Sequence, residues 1–195
     1  MWASHYEISG FVSSLIYQLG KYPQILQRLR QEQEQILDKH NQINQFLPEH
    51  LKQMIFLEAT IKETLRTLPP SPTANRRLTK SVVVDGILYK KGWTLIAEPR
   101  IDHIMPEHFE QPEKFKPERF FLERNKGQMY KFIPFGGGVH ACLGVQMAMV
   151  ISKVFVSHLL RTFEWKITGE PKFVQFPIKR IKDDDQIEIQ PRVQN

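Results

Sequence analysis

The residues with the clearest capacity for chemistry lie in one string, Phe135-Gly136-Gly137-Gly138-Val139-His140-Ala141-Cys142-Leu143-Gly144, which holds the only cysteine of the 195-residue chain. Three consecutive glycines free the backbone ahead of the sulfur. A helical pattern from about Leu143 to Arg161 begins directly behind it. The unpaired amides and the positive dipole end of a helix N-terminus both favour a thiolate. Gly144, read as lying one turn in, leaves room for a flat, bulky group to lie close. A thiolate under a glycine-rich loop is what a haem iron needs from an axial cysteine. Two other readings of the string are a small buried hydrophobe at Cys142 and a phosphate-binding loop, although the Lys-Ser/Thr ending of such a loop is missing. One cysteine excludes an internal disulfide and a multi-cysteine zinc site.

A second pattern is Glu63-Thr64-Leu65-Arg66, which sets opposite charges at i and i+3 on an apolar helix that ends at Pro69-Pro70. Taken alone, such a pair is a surface contact worth a few tenths of a kcal/mol. With Pro117-Glu118-Arg119-Phe120 further on, and the order Phe135, Gly138, Cys142, Gly144 after that, the chain resembles the cytochrome P-450 superfamily. The resemblance runs along essentially the whole chain and covers the C-terminal part of that fold. It implies a single truncated haem-thiolate domain over 1–195: a first helix, a Glu-x-x-Arg helix, a small antiparallel sheet, a meander, a cysteine loop and a last helix.

By that resemblance the cofactor is haem b with Cys142 as its axial metal ligand. Phe135, Gly138 and Gly144 belong to the cofactor-binding loop, with Phe135 beside the sulfur. His140 binds a haem propionate, and Arg76, or its neighbour Arg77, binds another. Glu63, Arg66 and Arg119 form a structural network. His103 falls where the family commonly has a histidine before the meander, and no role is assigned to it. The implied activity is a monooxygenase that uses O2 and two electrons to oxidise an apolar organic substrate. The implied donor is acidic, either ferredoxin-like or a flavin reductase, drawn to Arg124, Lys126, Lys131, His140 and Lys153; the other reading of these charges is a solvated face.

One departure from the family pattern concerns the first helix. Where the family has a small-small-x-acid-Thr oxygen-activating pattern, this chain has Ala3-Ser4-His5-Tyr6-Glu7, with Tyr6 for the acid and Glu7 for the alcohol. Glu7 and His5 are the candidate replacements in the proton relay. The alternative function is a truncated or split remnant that binds haem weakly or not at all and turns nothing over alone. A separate N-terminal half would then be its partner.

The elements that must place these residues are read from period and punctuation. Helices are expected from Trp2 to about Leu19, from Pro23 to His40 and from Pro48 to Thr67. The chain opens on Trp2 without a capping residue, as if inside a helix. The period then changes: Ser81–Val84, Asp85-Gly86 and Ile87–Lys90 read as a hairpin with a two-residue turn, and Trp93 to Ala97 as another strand. Eight of the 13 prolines fall between Pro69 and Pro134, so this stretch is mostly irregular. Short strands at Phe163–Ile167 and Gln186–Gln190 finish a helix-dominated, mainly α (α+β) chain.

At 41% hydrophobic and 25% charged, the composition is that of a globular domain, not of a disordered or fibrous chain. The net charge of +6 suits an acidic partner, but its scatter and the lack of a reading helix argue against nucleic acid. No run reaches the ~18 apolar residues of a membrane span and no signal peptide opens the chain, so a cytoplasmic protein is expected.

Overall fold

The computed structural model describes residues 2–37, 46–71, 73–121, 130–170, 172–174, 180–182 and 187–192. Four long helices carry the core: α1 (Trp2–Lys21), α2 (Pro23–Leu37), α4 (Ile55–Thr67) and α6 (Val145–Thr162), with the short α3 (Pro48–Gln53) and α5 (Pro99–His103) beside them. Apolar residues at helical spacing explain the packing. Leu15 and Leu19 of α1, Leu29 of α2, Leu57 and Ile61 of α4, and Val156 and Leu160 of α6 are buried in one cluster. The mainly α (α+β) expectation holds. No helix among the described residues is long and apolar enough to cross a membrane.

Among the described residues, eight short strands pair two by two, all antiparallel. β1 (Ala74–Arg77) pairs with β4 (Thr94–Ala97), and β2 (Val82–Val84) with β3 (Ile87–Tyr89). Asp85 and Gly86 sit at φ 50° and 77°, the left-handed pair that a tight two-residue hairpin turn requires. β5 (Phe163–Ile167) pairs with β8 (Ile187–Pro191), and β6 (Phe173–Val174) with β7 (Arg180–Ile181). Trp165 of β5 is buried and donates its indole N–H to the Ile16 carbonyl at 3.1 Å, tying β5 to α1. The expected hairpin and strands are present, while β1, β6 and β7 were not read from the sequence.

The helix expected over Pro48 to Thr67 is in fact two helices. Met54 breaks it at φ −75°, ψ 66° and is fully buried. The cause lies on another element: the Glu32 carboxylate of α2 accepts the backbone N–H groups of Phe56 and Leu57 at 2.6 and 3.0 Å. It thereby caps the first turn of α4 from outside, and α4 starts afresh there. Burial pushes the Glu32 carboxyl above its ordinary range, opposed by those two donors, Lys153 and Arg28. The expected end of α2 at His40 lies outside the described residues, as does Gln186.

Removing this cap has a measurable cost. Glu32→Ala should lower stability in denaturant melts by about 1–3 kcal/mol, since two amides lose their acceptor. Glu34→Ala, which loses only a half-exposed pair with Arg192, should stay within about 0.5 kcal/mol of the parent.

Candidate functional site

The site is built outward from α4. Glu63 and Arg66, three residues apart on one face, have fully buried side chains. Arg66 Nε and Nη2 donate to the two Glu63 carboxylate oxygens at 2.8 and 2.9 Å, a bidentate fork. The rest of the guanidinium binds backbone: Nη1 donates to the His103 carbonyl at 2.8 Å and Nη2 to that of Pro112 at 2.8 Å. Arg119, in the 3-10 turn Pro117–Phe120, donates Nε to Glu63 at 3.1 Å. The Lys116 amide donates to the same carboxylate at 2.8 Å. The structure thus brings Glu63, Arg66 and Arg119 together. Their charges hold an irregular stretch, 103–119, against α4.

His103, at the end of α5, extends this assembly. Its ring is 1% exposed and packs against Phe109 and Phe132, with centroids 6.5 and 5.2 Å away. Ring Nε2 accepts the backbone N–H of Ile133 at 3.2 Å. Burial, and secondarily the Arg66 cation, lower its pKa from 6.5 to about 4, with Asp102 opposing. Sequence reasoning left this residue without a role. Its burial and its partners come from elements far apart in the chain.

Two residues beyond Ile133 the cysteine loop begins. The Gly136 amide donates to the Ile133 carbonyl and the Cys142 amide to the Phe135 carbonyl, both at 2.9 Å. Gly136 and Gly138 sit at φ 72° and 65°, which only glycine adopts freely. The Gly144 N–H donates to Cys142 Sγ at 3.3 Å, and the Gly144 carbonyl takes the first helical bond, from Ala148. Helix α6 therefore starts at Val145 and not at Leu143, with Gly144 as its N-cap and not one turn in. The amide that could have begun the helix is turned onto the sulfur. Cys142, His140 and Gly144 are exposed, beside the open side chains of Val139 and Leu143.

The remaining candidates lie apart from this assembly. Arg76 and Arg77 are exposed on β1, and the Arg76 guanidinium lies on the Asn75 carbonyl. No described hydrogen bond joins either arginine to the cysteine loop. His5 is exposed on α1 and edge-on to Tyr6 at 5.4 Å. Glu7 is half-buried, its carboxyl raised by burial and held by a hydrogen bond with Ser71. Arg124 and Lys126 lie outside the described residues, and Lys131 is half-buried. Lys153 does not belong to an open basic face. It is 7% exposed and spends its amine on the Leu51 carbonyl and the Glu58 carboxylate, both at 2.8 Å. A groove of about 870 Å³, lined by Leu51, Leu65, Tyr130, Phe135 and Met149, separates α3 and α4 from the loop and was not foreseen.

The donor set fits a soft iron ligand. The sulfur is exposed, receives an N–H, and faces a glycine where a Cβ would already touch it at 3.7 Å. Among the described residues no cluster of three His, Cys, Asp or Glu offers a different metal site.

Comparison with known proteins agrees with this geometry. The family model described as Cytochrome P450 matches residues 1–184. A putative cytochrome P450 120 of Synechocystis is 32% identical over 194 residues, which is 97% of this chain and 43% of that protein. Cytochrome P450 26A1 of Gallus gallus is 32% identical over 174 residues, 88% of this chain and 35% of that protein. A solved structure of retinoic acid bound cyanobacterial CYP120A1 superposes with a TM-score of 0.87 at 31% identity, covering 98% of this chain and 44% of that one. The chain thus spans less than half the length of these relatives.

Two outcomes test the charged assembly. Glu63→Ala leaves Arg66 buried without its anion and should cost about 3–5 kcal/mol in denaturant melts, against about 0.2–1 for Glu118→Ala in the half-exposed Arg28 pair. Acid should act through His103. The unfolded ring gains a proton below about pH 6.5, whereas the folded ring stays neutral to about 4. The His103 contribution to stability should fall by about 3 kcal/mol as pH drops through that window and level off below it. Comparing the same titration for His103→Gln isolates this part, because the variant has nothing to titrate there.

Proposed function

Because the chain belongs to the cytochrome P450 family, we propose that it forms the haem-thiolate core of a monooxygenase, with Cys142 as the axial ligand of haem b. The observation that carries this reading is the sulfur itself: exposed at the end of a glycine-rich loop, hydrogen-bonded by the Gly144 amide, and set just before the N-terminus of α6. When bound, haem supplies the one-electron and O2 chemistry, and the thiolate pushes electron density toward the iron. The chain's own residues do the holding. The Gly144 N–H orients the sulfur and offsets its charge. Phe135 packs at the root of the loop, Gly138 lets it turn, and exposed His140 is free to meet a propionate. Arg76 is assigned the second propionate by family resemblance. The substrate is an apolar organic molecule, and the electron donor is acidic, ferredoxin-like or flavin-containing.

A second reading rests on the first helix, where the relay positions carry Tyr6 and Glu7 in place of an acid and an alcohol. Without that pair to deliver protons, these 195 residues should spend reductant without oxidising substrate.

Reconstitution with haem, followed by reduction and carbon monoxide, tests the ligand. A thiolate-type Soret band is expected for the parent and its loss for Cys142→Ala; a band that survives the substitution sinks the assignment. For turnover, reductant consumed is compared with oxidised product and peroxide, using an apolar substrate panel and a ferredoxin-type donor. Mostly peroxide is expected, and tight coupling would rule out the second reading.

A further inference from the structure

His103 is buried deep in the assembly, yet nothing in the proposed chemistry uses it. As a packing residue it is a poor choice. It sits among Phe109 and Phe132, where another apolar ring would match its surroundings. Imidazole brings two nitrogens that must be desolvated, and Nδ1 is buried without a hydrogen-bond partner among the described residues. Since Nε2 accepts from Ile133, the ring is neutral with its proton on that unpartnered Nδ1. A phenyl ring would avoid this cost. What a phenyl ring cannot do is accept the Ile133 N–H.

That one bond lies at a junction. On one side the His103 carbonyl takes Arg66 Nη1, so the residue is fixed to the Glu63 assembly on α4. On the other side Ile133 accepts the Gly136 amide, and Phe135 accepts the Cys142 amide. Backbone and ring of one residue therefore join the buried charges to the segment from which the cysteine loop departs. We propose that His103 is a positioning residue for Cys142, its ring nitrogen holding Ile133 so that the loop presents the sulfur at a set place. The inference rests on Cys142 being the haem ligand, but the positioning itself is readable without haem.

The test compares His103→Gln, His103→Asn and His103→Phe in the full 195-residue chain. A glutamine carbonyl reaches the place of Nε2, an asparagine carbonyl does not, and phenylalanine keeps the ring and loses the acceptor. In the cofactor-free chain, amide exchange at Ile133, Gly136 and Cys142 is read against amides of α2. The Asn and Phe variants should speed exchange at the three loop amides by about tenfold relative to α2, the loss expected for one hydrogen bond, and Gln should restore protection. With haem and carbon monoxide, Asn and Phe should broaden or shift the thiolate-type Soret band while Gln keeps it.

Equal exchange in all four proteins overturns the proposal, as does loosening of α2 and loop together, or a Gln variant as loose as Asn. If the Phe variant does not fold, the Gln and Asn pair decides. A parent chain without a thiolate band would remove the haem reading and leave the exchange result to judge the positioning by itself.

Discussion

The arrangement depends on one buried carboxylate. Glu63 has no exposed side-chain surface, and a charge in that position is tolerable only if it is paired and its lone pairs are filled. It accepts a bidentate fork from Arg66, a bond from Arg119 and the Lys116 amide. Each arginine in turn spends its remaining N–H groups on backbone carbonyls of the irregular stretch between α5 and the 3-10 turn. That stretch has no ladder of its own. The Glu110, Gln111, Pro112 and Lys114 carbonyls are met by the two arginines, and so its path is set by the position of α4.

From this centre the order passes to the sulfur through few contacts. His103 closes the gap between Arg66 and Ile133, and the loop then folds on its own amides until Gly144 turns its N–H onto Cys142. The buried part is over-determined and the reactive end is open, with Cys142 and its neighbours exposed. A rigid support beneath an accessible sulfur suits the axial role proposed for Cys142, and the chain belongs to the cytochrome P450 family.

Lys153 shows how a charge changes meaning with context. In a list of basic residues it belongs with a docking surface. In the fold it extends from α6 to Leu51 of α3 and Glu58 of α4. Glu58 also holds Lys62, and its carboxyl lies below its ordinary range because these two amines outweigh the effect of burial. The amine that a formal charge count assigns to the surface is used to join helices.

Much was legible before any coordinates. The glycine-rich string around Cys142, the Glu63 and Arg66 spacing and the Pro117–Phe120 turn are local patterns, and local patterns survive in one dimension. So are the Asp85-Gly86 turn and the apolar faces of α1, α2, α4 and α6, because helix and hairpin periods follow from backbone geometry alone. Most of what needed the tertiary structure shares one feature: the deciding partner is distant in sequence. Glu32 splits α3 from α4 across 24 residues, His103 reaches Ile133 across 30, and Lys153 reaches Leu51 across 102. A side chain's type and spacing state what bonds it can make. Which distant backbone groups need those bonds is decided only when packing buries both partners together.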